Sequence, residues 1–451
     1  MDAGRARDVV PLRQAVRAWF LISLQTFGGP AGQIAVMQRT LVDERRWIGE
    51  KRFLHALNYC MLLPGPEAQQ LAIYTGWLLN GGLGGLIAGT LFVLPGLVAM
   101  LALSILYVAQ GDTSLVAGLF LGLGPAVLAI VVQAVLRIGG RALRNRVLVV
   151  LAVSAFAALA LFGVPFPLVV LGAGLVGWAV HRWRPALLEV RQQPDSVDAT
   201  APLIPDDALH HARPGRRRNL LVLGVGLVLW ATPVVTVAAA TGSTGSVFVD
   251  QGLFFAGMAL VTFGGAYAVL SYVAEAAVET YGWLRAGEMI RGLALAETTP
   301  GPLIMVVQFV AFLGAYRDPG SLDPWVAGVL GSLLVVWVTF VPCFVFIFLG
   351  APYVERLRGS ASLAASLTGV TAAVVGVIAN LAIFFAVHTL FTETRTVVWG
   401  PVELLVPVWS SYVWEALALT ALAGLLVFGL RWSVLRTLGV CALAGVLLSL
   451  L

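Results

Sequence analysis

The stretch "LLPGPEAQQLAIY" at 62–74 places two prolines, a glycine and an acid inside otherwise membrane-grade apolar sequence. Proline removes a backbone N–H and clashes with the preceding turn, so Pro64 and Pro66 predict that one helix ends near Leu63. Pro66 suits the first turn of a new helix, whose first N–H groups then lack partners within that helix. These groups belong to Glu67, Ala68 and Gln69. Because a helix N-terminus attracts anions, the stretch predicts a broken helix that binds an anion.

Composition identifies the class of protein around this break. The chain has 451 residues, of which 59% are hydrophobic and 11% are charged, and its mean hydropathy is +0.92. Soluble domains are about 25% charged. Apolar runs of 18 residues or more recur along the chain, which predicts an all-α polytopic membrane protein rather than a barrel. No cleaved signal peptide is expected at the N-terminus.

A polar stretch divides the chain into three parts. Residues 182–218 are rich in Pro, Asp and Arg and have no sustained apolar period. They are interpreted as a basic, mobile cytoplasmic linker. The linker separates an N-terminal membrane repeat over 1–181 from a C-terminal membrane repeat over 219–451, which begins with one extra helix.

The two membrane parts repeat each other. "QTFGGPAGQIAV" at 25–36 resembles "VTFGGAYAVLSY" at 261–272, and "LLPGPE" at 62–67 resembles "TTPGPL" at 298–303. Corresponding residues lie 236 positions apart up to these motifs and 247 positions apart beyond them, as Pro95 and Pro342 do. The loop at 316–325 accounts for the difference. Internal repeats of this kind are typical of secondary transporters.

Charge predicts the orientation of the repeats. Placing the basic clusters in the cytoplasm puts the N-terminus there, and the unmatched helix over 219–240 then inverts the second repeat. The loop 39–52 has five basic and three acidic residues, whereas its counterpart 275–288 has three acidic residues and one basic residue. If 12–38 and 249–274 are re-entrant, the basic loop lies inside and the acidic loop outside. If they span the membrane, both loops change sides; the positive-inside rule favours re-entrant segments.

Four breaks related by inverted symmetry predict one central anion site that needs no buried lysine or arginine. A lone Pro-Gly-Pro often only shapes packing, but the paired occurrence at constant spacing favours a site. The candidate anion-binding residues are Phe27, Gly28, Gly29, Pro30, Ala31, Gly32, Pro64, Gly65, Pro66, Glu67, Ala68, Gln69, Phe263, Gly264, Gly265, Thr298, Thr299, Pro300, Gly301, Pro302 and Leu303.

Two acids lie beside the Pro-Gly-Pro breaks and are candidates for proton coupling. Glu67 either carries a proton or caps its helix, and Glu297 lies at a helix end where a negative charge is disfavoured. The sequence lacks a Walker loop, clustered Cys and His ligands, and hydrolase motifs, so no enzyme activity, cofactor or metal site is expected. The positive net charge is attributed to cytoplasmic loops, not to nucleic-acid binding.

The motifs "FGGPAGQI", "LLPGPEAQQLAIYTGW", "FVLPG", "FGGAYAVLSYV" and "ETTPGPL" resemble those of the chromate ion transporter (CHR) family in its long two-domain bacterial form. The resemblance implies chromate export across the inner membrane, and hence chromate resistance. Within the family pattern, Ala266 stands where the first half has Pro30, and Leu303 stands where it has Glu67. The two halves are therefore expected to differ at the site.

Three alternatives to chromate export stay open. Sulfate resembles chromate in shape and charge, so the chain could be a carrier of sulfate or another oxyanion, and sulfate is the expected competitor. A passive anion channel would not concentrate its substrate. An intramembrane enzyme would need a reactive constellation that the sequence does not display. By analogy with other inverted-repeat transporters, a homodimer in the lipid bilayer is expected.

Overall fold

The protein was analysed as a computed structural model. It describes residues 9–27, 29–111, 113–185, 203–204, 215–241, 245–263, 266–351, 361–400 and 402–450, with backbone only for Ala31, Ala286 and Glu403. The candidate residues Gly28, Gly264 and Gly265, and most of the linker predicted over 182–218, lie outside the described residues.

The first half of the chain is helical throughout its described residues. Its elements are α1 (Leu12–Ser23), α2 (Gly29–Gln38) with a π-helical continuation (Arg39–Glu44), α3 (Glu50–Cys60), α4 (Glu67–Gln110), α5 (Ser114–Ala142), α6 (Arg146–Phe162) and α7 (Phe166–Trp183).

The second half begins with an additional helix and also contains a small β-hairpin. Its elements are α8 (Arg216–Thr241), α9 (Val247–Val261), α10 (Ala266–Glu275) with a π-helical continuation (Ala276–Thr280), α11 (Ala286–Thr298), a 3₁₀ turn (Leu303–Met305) leading into α12 (Val306–Arg317), α13 (Pro324–Gly350), α14 (Ala361–Leu390), the antiparallel strands β1 (Thr394–Trp399) and β2 (Val402–Pro407), α15 (Trp414–Gly424) with a π-helical continuation (Leu425–Gly429), and α16 (Val434–Ser449). Among the described residues, six helices are long and apolar enough to cross a membrane, which confirms the predicted all-α polytopic class.

The helices of the two halves begin at matching positions. The starts of α3 and α11, at 50 and 286, are 236 positions apart, and those of α5 and α14, at 114 and 361, are 247 positions apart. The pairs α6 with α15 and α7 with α16 are both offset by 268, and the further 21 positions include the β-hairpin. Packing is reciprocal, since α5 lies against α16 while α14 lies against α7.

Helix α4 consists of two antiparallel arms. Asn80 and Gly81 have non-helical backbone angles, and Gly81 has a φ of +62°, which glycine adopts without strain. The arms 67–80 and 81–110 pack closely, because a β-carbon added to Gly76 would lie 2.5 Å from the carbonyl oxygen of Gly84. This is the same hairpin that α12 and α13 form in the second half.

In the second half, the short helices form hairpins whose outer ends lie together. Val247, Trp283 and Arg317 line one cavity of about 150 Å³, and Arg317 Nη1 donates to the carbonyl of Trp283 at 3.0 Å. Since α9 begins at this cavity and the turn after α10 returns to it, the outer ends of α9 and α10 lie together. The turn after α10 leads into α11, and α12 ends at Arg317.

The outer ends of the first half lie at the other end of α4. Val9 N donates to the carbonyl of Leu79 at 3.0 Å, so α1 begins where the first arm of α4 ends. The second arm runs from Gly81 to Tyr107, whose hydroxyl donates to Glu288 Oε1 at 3.2 Å in the second half. The 27 residues from Gly81 to Tyr107 span about 39 Å of helix. Opposite placement of the two sets of outer ends supports the predicted inversion.

This geometry gives a labelling prediction for the two turns after α2 and α10. Cysteines replacing Glu44 and Glu279, both exposed, are expected to react with a membrane-impermeant maleimide from opposite sides, Glu44 from the cytoplasm. The wild-type protein is the control, because its three cysteines are buried and free. Reversed labelling at both positions would mean that 12–38 and 249–274 cross the membrane.

Candidate functional site

Two reciprocal hydrogen bonds join the four backbone breaks. Gly65 N donates to the carbonyl of Thr262 at 2.8 Å, and Gly301 N donates to the carbonyl of Thr26 at 3.0 Å. The two donors, Gly65 and Gly301, are 236 positions apart in the sequence, and so are the two acceptors, Thr26 and Thr262. Each Pro-Gly-Pro segment is therefore tied to the Phe-Gly-Gly segment of the opposite half, and the four breaks lie together.

The glycines of the Pro-Gly-Pro segments are held by a second pair of matching contacts. A β-carbon added to Gly301 would lie 3.2 Å from Gly96 Cα, and one added to Gly65 would lie 2.9 Å from Cys343 Sγ. Gly96 and Cys343 are themselves 247 positions apart. The φ angles of Gly65 and Gly301 are +114° and +104°, a region that side-chain-bearing residues avoid.

The first Pro-Gly-Pro break carries free hydrogen-bond donors. Helix α3 ends at Cys60 rather than near Leu63, although Leu63 N still donates to the carbonyl of Cys60 at 3.2 Å. Pro66 is the N-cap residue of α4 and not part of its first turn, as its ψ of 105° is extended. The first N–H group of α4 that donates to a preceding backbone carbonyl is that of Gln70, which donates to the carbonyl of Pro66 at 3.0 Å.

Donors near the start of α4 stay unused within the described chain. The N–H groups of Ala68 and Gln69 have no partner there. The side chain of Gln69 is fully buried, and neither its Nε2 nor its Oε1 has a partner among the described residues. A buried amide without partners is costly. This end of α4 is thus built to accept a ligand with several acceptor atoms.

The second Pro-Gly-Pro break is apolar by comparison. Instead of an α-helix, the 3₁₀ turn Leu303–Met305 follows Pro302, and its three side chains are no more than 2% exposed. Thr298 Oγ1 and Thr299 Oγ1 donate to the carbonyls of their own helix, at 2.8 and 3.1 Å. The hydroxyl groups of Thr298 and Thr299 are therefore already engaged in hydrogen bonds. The two halves differ at their Pro-Gly-Pro breaks, as the motifs indicate.

The first Phe-Gly-Gly break begins α2 at Gly29, which has a φ of +72°, with Pro30 in the first turn as predicted. A β-carbon on Gly32 would lie 2.3 Å from the carbonyl oxygen of Phe27, so only glycine fits there. Phe27 and its counterpart Phe263 are both half-buried.

The two candidate acids have different surroundings. Glu67 is half-buried and is the first residue of α4, where a negative charge is favoured. Glu297 is 1% exposed, its Oε1 accepts a hydrogen bond from the Tyr267 hydroxyl, and its Oε2 has no partner among the described residues. Tyr267 Oη also lies 3.9 Å from the position of a β-carbon on Gly29. Glu297 therefore lies close to the first-half break.

Three polar residues at the breaks escaped the sequence analysis. Gln33 Nε2 donates to the carbonyl of Gly301 at 2.6 Å, and Gln70 Nε2 donates to that of Pro64 at 2.6 Å. Tyr267 holds Glu297. Both glutamines lie inside motifs that the sequence analysis quoted, and Tyr267 stands where the first half has Ala31.

Replacing Gln33 by leucine is expected to destabilise the protein by about 1–3 kcal/mol, because the buried carbonyl of Gly301 loses this donor. The change should appear as a lower thermal unfolding midpoint in detergent. Gln25→Leu is the matched control, since Gln25 is exposed. An unchanged midpoint in Gln33→Leu would contradict the importance of this bond.

The described residues contain no group of three or more His, Cys, Asp or Glu side chains that could hold a metal ion.

The chain is similar to known proteins over most of its length. The family model described as "Chromate transporter" matches residues 13–178 and 249–446. A chromate transport protein of Pseudomonas aeruginosa is 35% identical over 79% of this chain and 76% of its own length. A chromate transport protein of Cupriavidus metallidurans is 28% identical over 83% of this chain and 82% of its own length. No solved structure matches the chain.

The matched family is one of transporters, not enzymes, in agreement with the sequence analysis. Its two matched segments correspond to the two halves that the linker separates. The chain, a multi-pass membrane protein, belongs to the chromate transporter family.

Proposed function

We propose that this protein is a secondary active transporter that exports chromate from the cytoplasm and thereby gives chromate resistance. The names of its relatives support the substrate. One observation carries the proposal: next to the meeting point of the four breaks, the N–H groups of Ala68 and Gln69 and the buried Gln69 amide have no partner among the described residues. Chromate is a tetrahedral dianion, and its acceptor oxygens suit such donors.

The breaks bind an anion without a fixed positive charge. The segments 24–32, 61–69, 260–268 and 298–305 contain no lysine or arginine. Binding by partial charges holds a dianion less tightly than binding by paired arginines. This favours release, which a transporter needs as much as it needs capture.

We infer that the hairpins formed by α1 with α2 and by α9 with α10 are re-entrant and enter the membrane from opposite sides. The common outer ends of the second-half hairpins support this inference. The basic loop 39–52 and the linker then face the cytoplasm, with the N-terminus, as the positive-inside rule requires. The membrane concerned is the bacterial inner membrane. Rocking of one half against the other would expose the breaks to each side in turn.

Proton coupling is assigned to Glu297. The membrane potential already favours exit of a dianion by about 2.3 kcal/mol per charge per 100 mV. An ionised carboxylate beside the anion repels it, and protonation relieves that repulsion. The unpartnered, buried Oε2 of Glu297 favours this role and coupled transport over a passive channel.

Whole-cell chromate accumulation tests the proposed function. Cells that contain the protein are expected to accumulate less chromate than matched cells without it, and excess sulfate in the cytoplasm should reduce the difference if sulfate shares the site. Equal accumulation in both would contradict chromate export. Sulfate flux in proteoliposomes without any chromate flux would instead favour the sulfate carrier.

A further inference from the structure

A second cavity, of about 440 Å³, lies between α5 and the turn that joins α15 to α16. We call it the arginine vestibule and define it by Gln133, Arg137, Arg431, Trp432 and Ser433, which all line it. It is separate from the breaks and contains none of the candidate residues described above.

The vestibule lies in the last third of α5. Near its end, α5 packs against α14, where Gly139 faces Val375. Helix α7 leads into the linker and packs against the start of α14, where Gly177 faces Ala365. The two contacts lie ten residues apart on α14, so α5 and α7 both run towards the start of α14, the side on which α7 enters the linker.

The two arginines of the vestibule lie on different elements, Arg137 on α5 and Arg431 in the turn before α16. Arg137 Nη2 donates to Gln133 Oε1 at 3.0 Å, one turn earlier on the same helix. Within the described residues, neither Arg137 nor Arg431 has a carboxylate at ion-pair distance. Arg431 also has a φ of +53°, a conformation that residues other than glycine rarely adopt. Arg431 thus lines the cavity from a turn with an unusual backbone angle.

Further donors face the same cavity. Ser433 is the N-cap residue of the 16-residue helix α16, and its side chain makes no capping bond. The first N–H groups of α16 are therefore available beside the two guanidinium groups. Gln133 fixes Arg137 through its oxygen and keeps its own amide hydrogens for other acceptors.

The vestibule lies next to the second-half break. Helix α11 packs against both α5 and α16, and Ile290 on α11 faces Gly124 on α5. Both helices start on the same side, where Tyr107 contacts Glu288 and Phe120. Eight residues farther along, or about 12 Å, Thr298 at the end of α11 is level with residue 132 of α5.

We propose that the arginine vestibule is a second oxyanion-binding site, which captures a tetrahedral dianion such as chromate or sulfate on the linker side before it enters the site among the breaks. Two free arginines match the charge of a dianion, and guanidinium groups suit its oxygens geometrically. Binding in the vestibule also raises the local concentration of the oxyanion near the breaks. This role in transport rests on the proposed function, whereas binding itself does not.

Protection of an introduced cysteine tests binding directly. Ser433→Cys in the full-length protein, purified in detergent without added lipid, is alkylated with a water-soluble maleimide while sulfate is varied. Sulfate is expected to slow the reaction at least about fivefold, as an occupied cavity blocks access. Adding Arg137→Gln or Arg431→Gln should raise the half-protecting sulfate concentration about tenfold each, the scale of a lost charge-assisted hydrogen bond. Chloride at equal ionic strength controls for screening.

Matched variants separate binding from misfolding. Arg141→Gln, which removes an arginine one turn farther along α5 and outside the cavity, should leave protection unchanged. Arg137→Lys and Arg431→Lys keep the positive charge, so sulfate should still protect the cysteine in these variants nearly as well. Failure of sulfate to protect the introduced cysteine, or full protection in the Arg137→Gln/Arg431→Gln double variant, would overturn the proposal. Protection by phosphatidylglycerol but not by sulfate would overturn it too, because the ligand would then be a lipid phosphate.

Transport kinetics separate this proposal from the proposed function. In proteoliposomes of zwitterionic lipid, Arg137→Gln should raise the half-saturating chromate concentration about tenfold on the linker side only, with an unchanged maximal rate. An equal rise on both sides would overturn a role in capture. If the protein without the Arg137 change moves no oxyanion while sulfate still protects the cysteine introduced by Ser433→Cys, the proposed transport function fails and the vestibule stands as a binding site.

Discussion

Replacing Gly65 or Gly301 by leucine is expected to reduce chromate transport to the background of cells without the protein. Both glycines have φ angles above +100°, which a residue with a β-carbon adopts only at a cost of about 1–2 kcal/mol. A β-carbon on Gly301 would also press against the backbone of Gly96, which has no flexible side chain to move. The clash would displace Gly301 N from the Thr26 carbonyl and separate the breaks. Chromate efflux from preloaded cells measures the effect.

Gly163→Leu is the matched control for this prediction. Gly163 has a φ of +56°, but nothing lies within 4 Å of a β-carbon placed there. It therefore imposes the same kind of backbone strain without the contact, and transport should persist. Membrane insertion of each variant is checked by immunoblotting of the membrane fraction. Full efflux by Gly65→Leu would contradict a site that depends on the packing of the breaks.

Replacing Glu297 by glutamine is the change with the next largest expected effect. Glutamine imitates the protonated acid, so chromate binding should be retained or strengthened. Transport driven by a pH gradient should fall about tenfold or more, the scale of typical coupling energies. The pH dependence of transport should also flatten, because the group that exchanges the proton is gone. Proteoliposomes with an imposed pH gradient, and chromate binding at two pH values, measure these effects.

Glu67→Gln is the control within the same protein. Glu67 is the first residue of α4, where its charge is assigned to the helix N-terminus rather than to proton exchange, so glutamine should change transport little. Tyr267→Phe, which removes the donor to Glu297 Oε1, should shift the pH dependence without abolishing transport. Wild-type transport and pH dependence in Glu297→Gln would show that this acid is structural and that coupling lies elsewhere.

The positions of the breaks could be predicted because proline and glycine act on the adjacent backbone. Pro64 and Pro66 end one helix and precede the next through local backbone effects that do not depend on tertiary contacts. The constant offsets between the halves likewise required only the sequence, and the matching starts of α5 and α14 follow them. At the first Pro-Gly-Pro break the errors were of one or three residues at the ends of helices, as at Cys60 and Pro66, where caps and tight turns decide the boundary.

The contacts that assemble the candidate site could not be predicted from local rules. Gly301 N bonds to Thr26, 275 positions earlier in the chain, and no local pattern indicates such a partner. The same holds for Gln33 and for the pairing of Tyr267 with Glu297, which join different helices. The 3₁₀ turn at Leu303 also depends on burial against neighbouring helices rather than on the motif it shares with the first half.

The β-hairpin of the second half was overlooked although the sequence contained a signal for it. Its two strands flank Gly400, which has a φ of +62°, and β1 is rich in β-branched residues. These are features of a hairpin. The segment between α14 and α15 mixes apolar and polar residues without a run long enough to cross a membrane, so the search for membrane helices left it without an assignment.

The position of a bound oxyanion tests the central claim most directly. Selenate is a tetrahedral dianion whose selenium gives an anomalous X-ray signal, so crystals of the wild-type protein grown with it locate the anion. The account predicts a peak within hydrogen-bonding distance of the N–H groups of Ala68 and Gln69, between the two Pro-Gly-Pro segments, which excess chromate displaces. A chromate-displaceable peak elsewhere in the protein, with none between these segments, would contradict it.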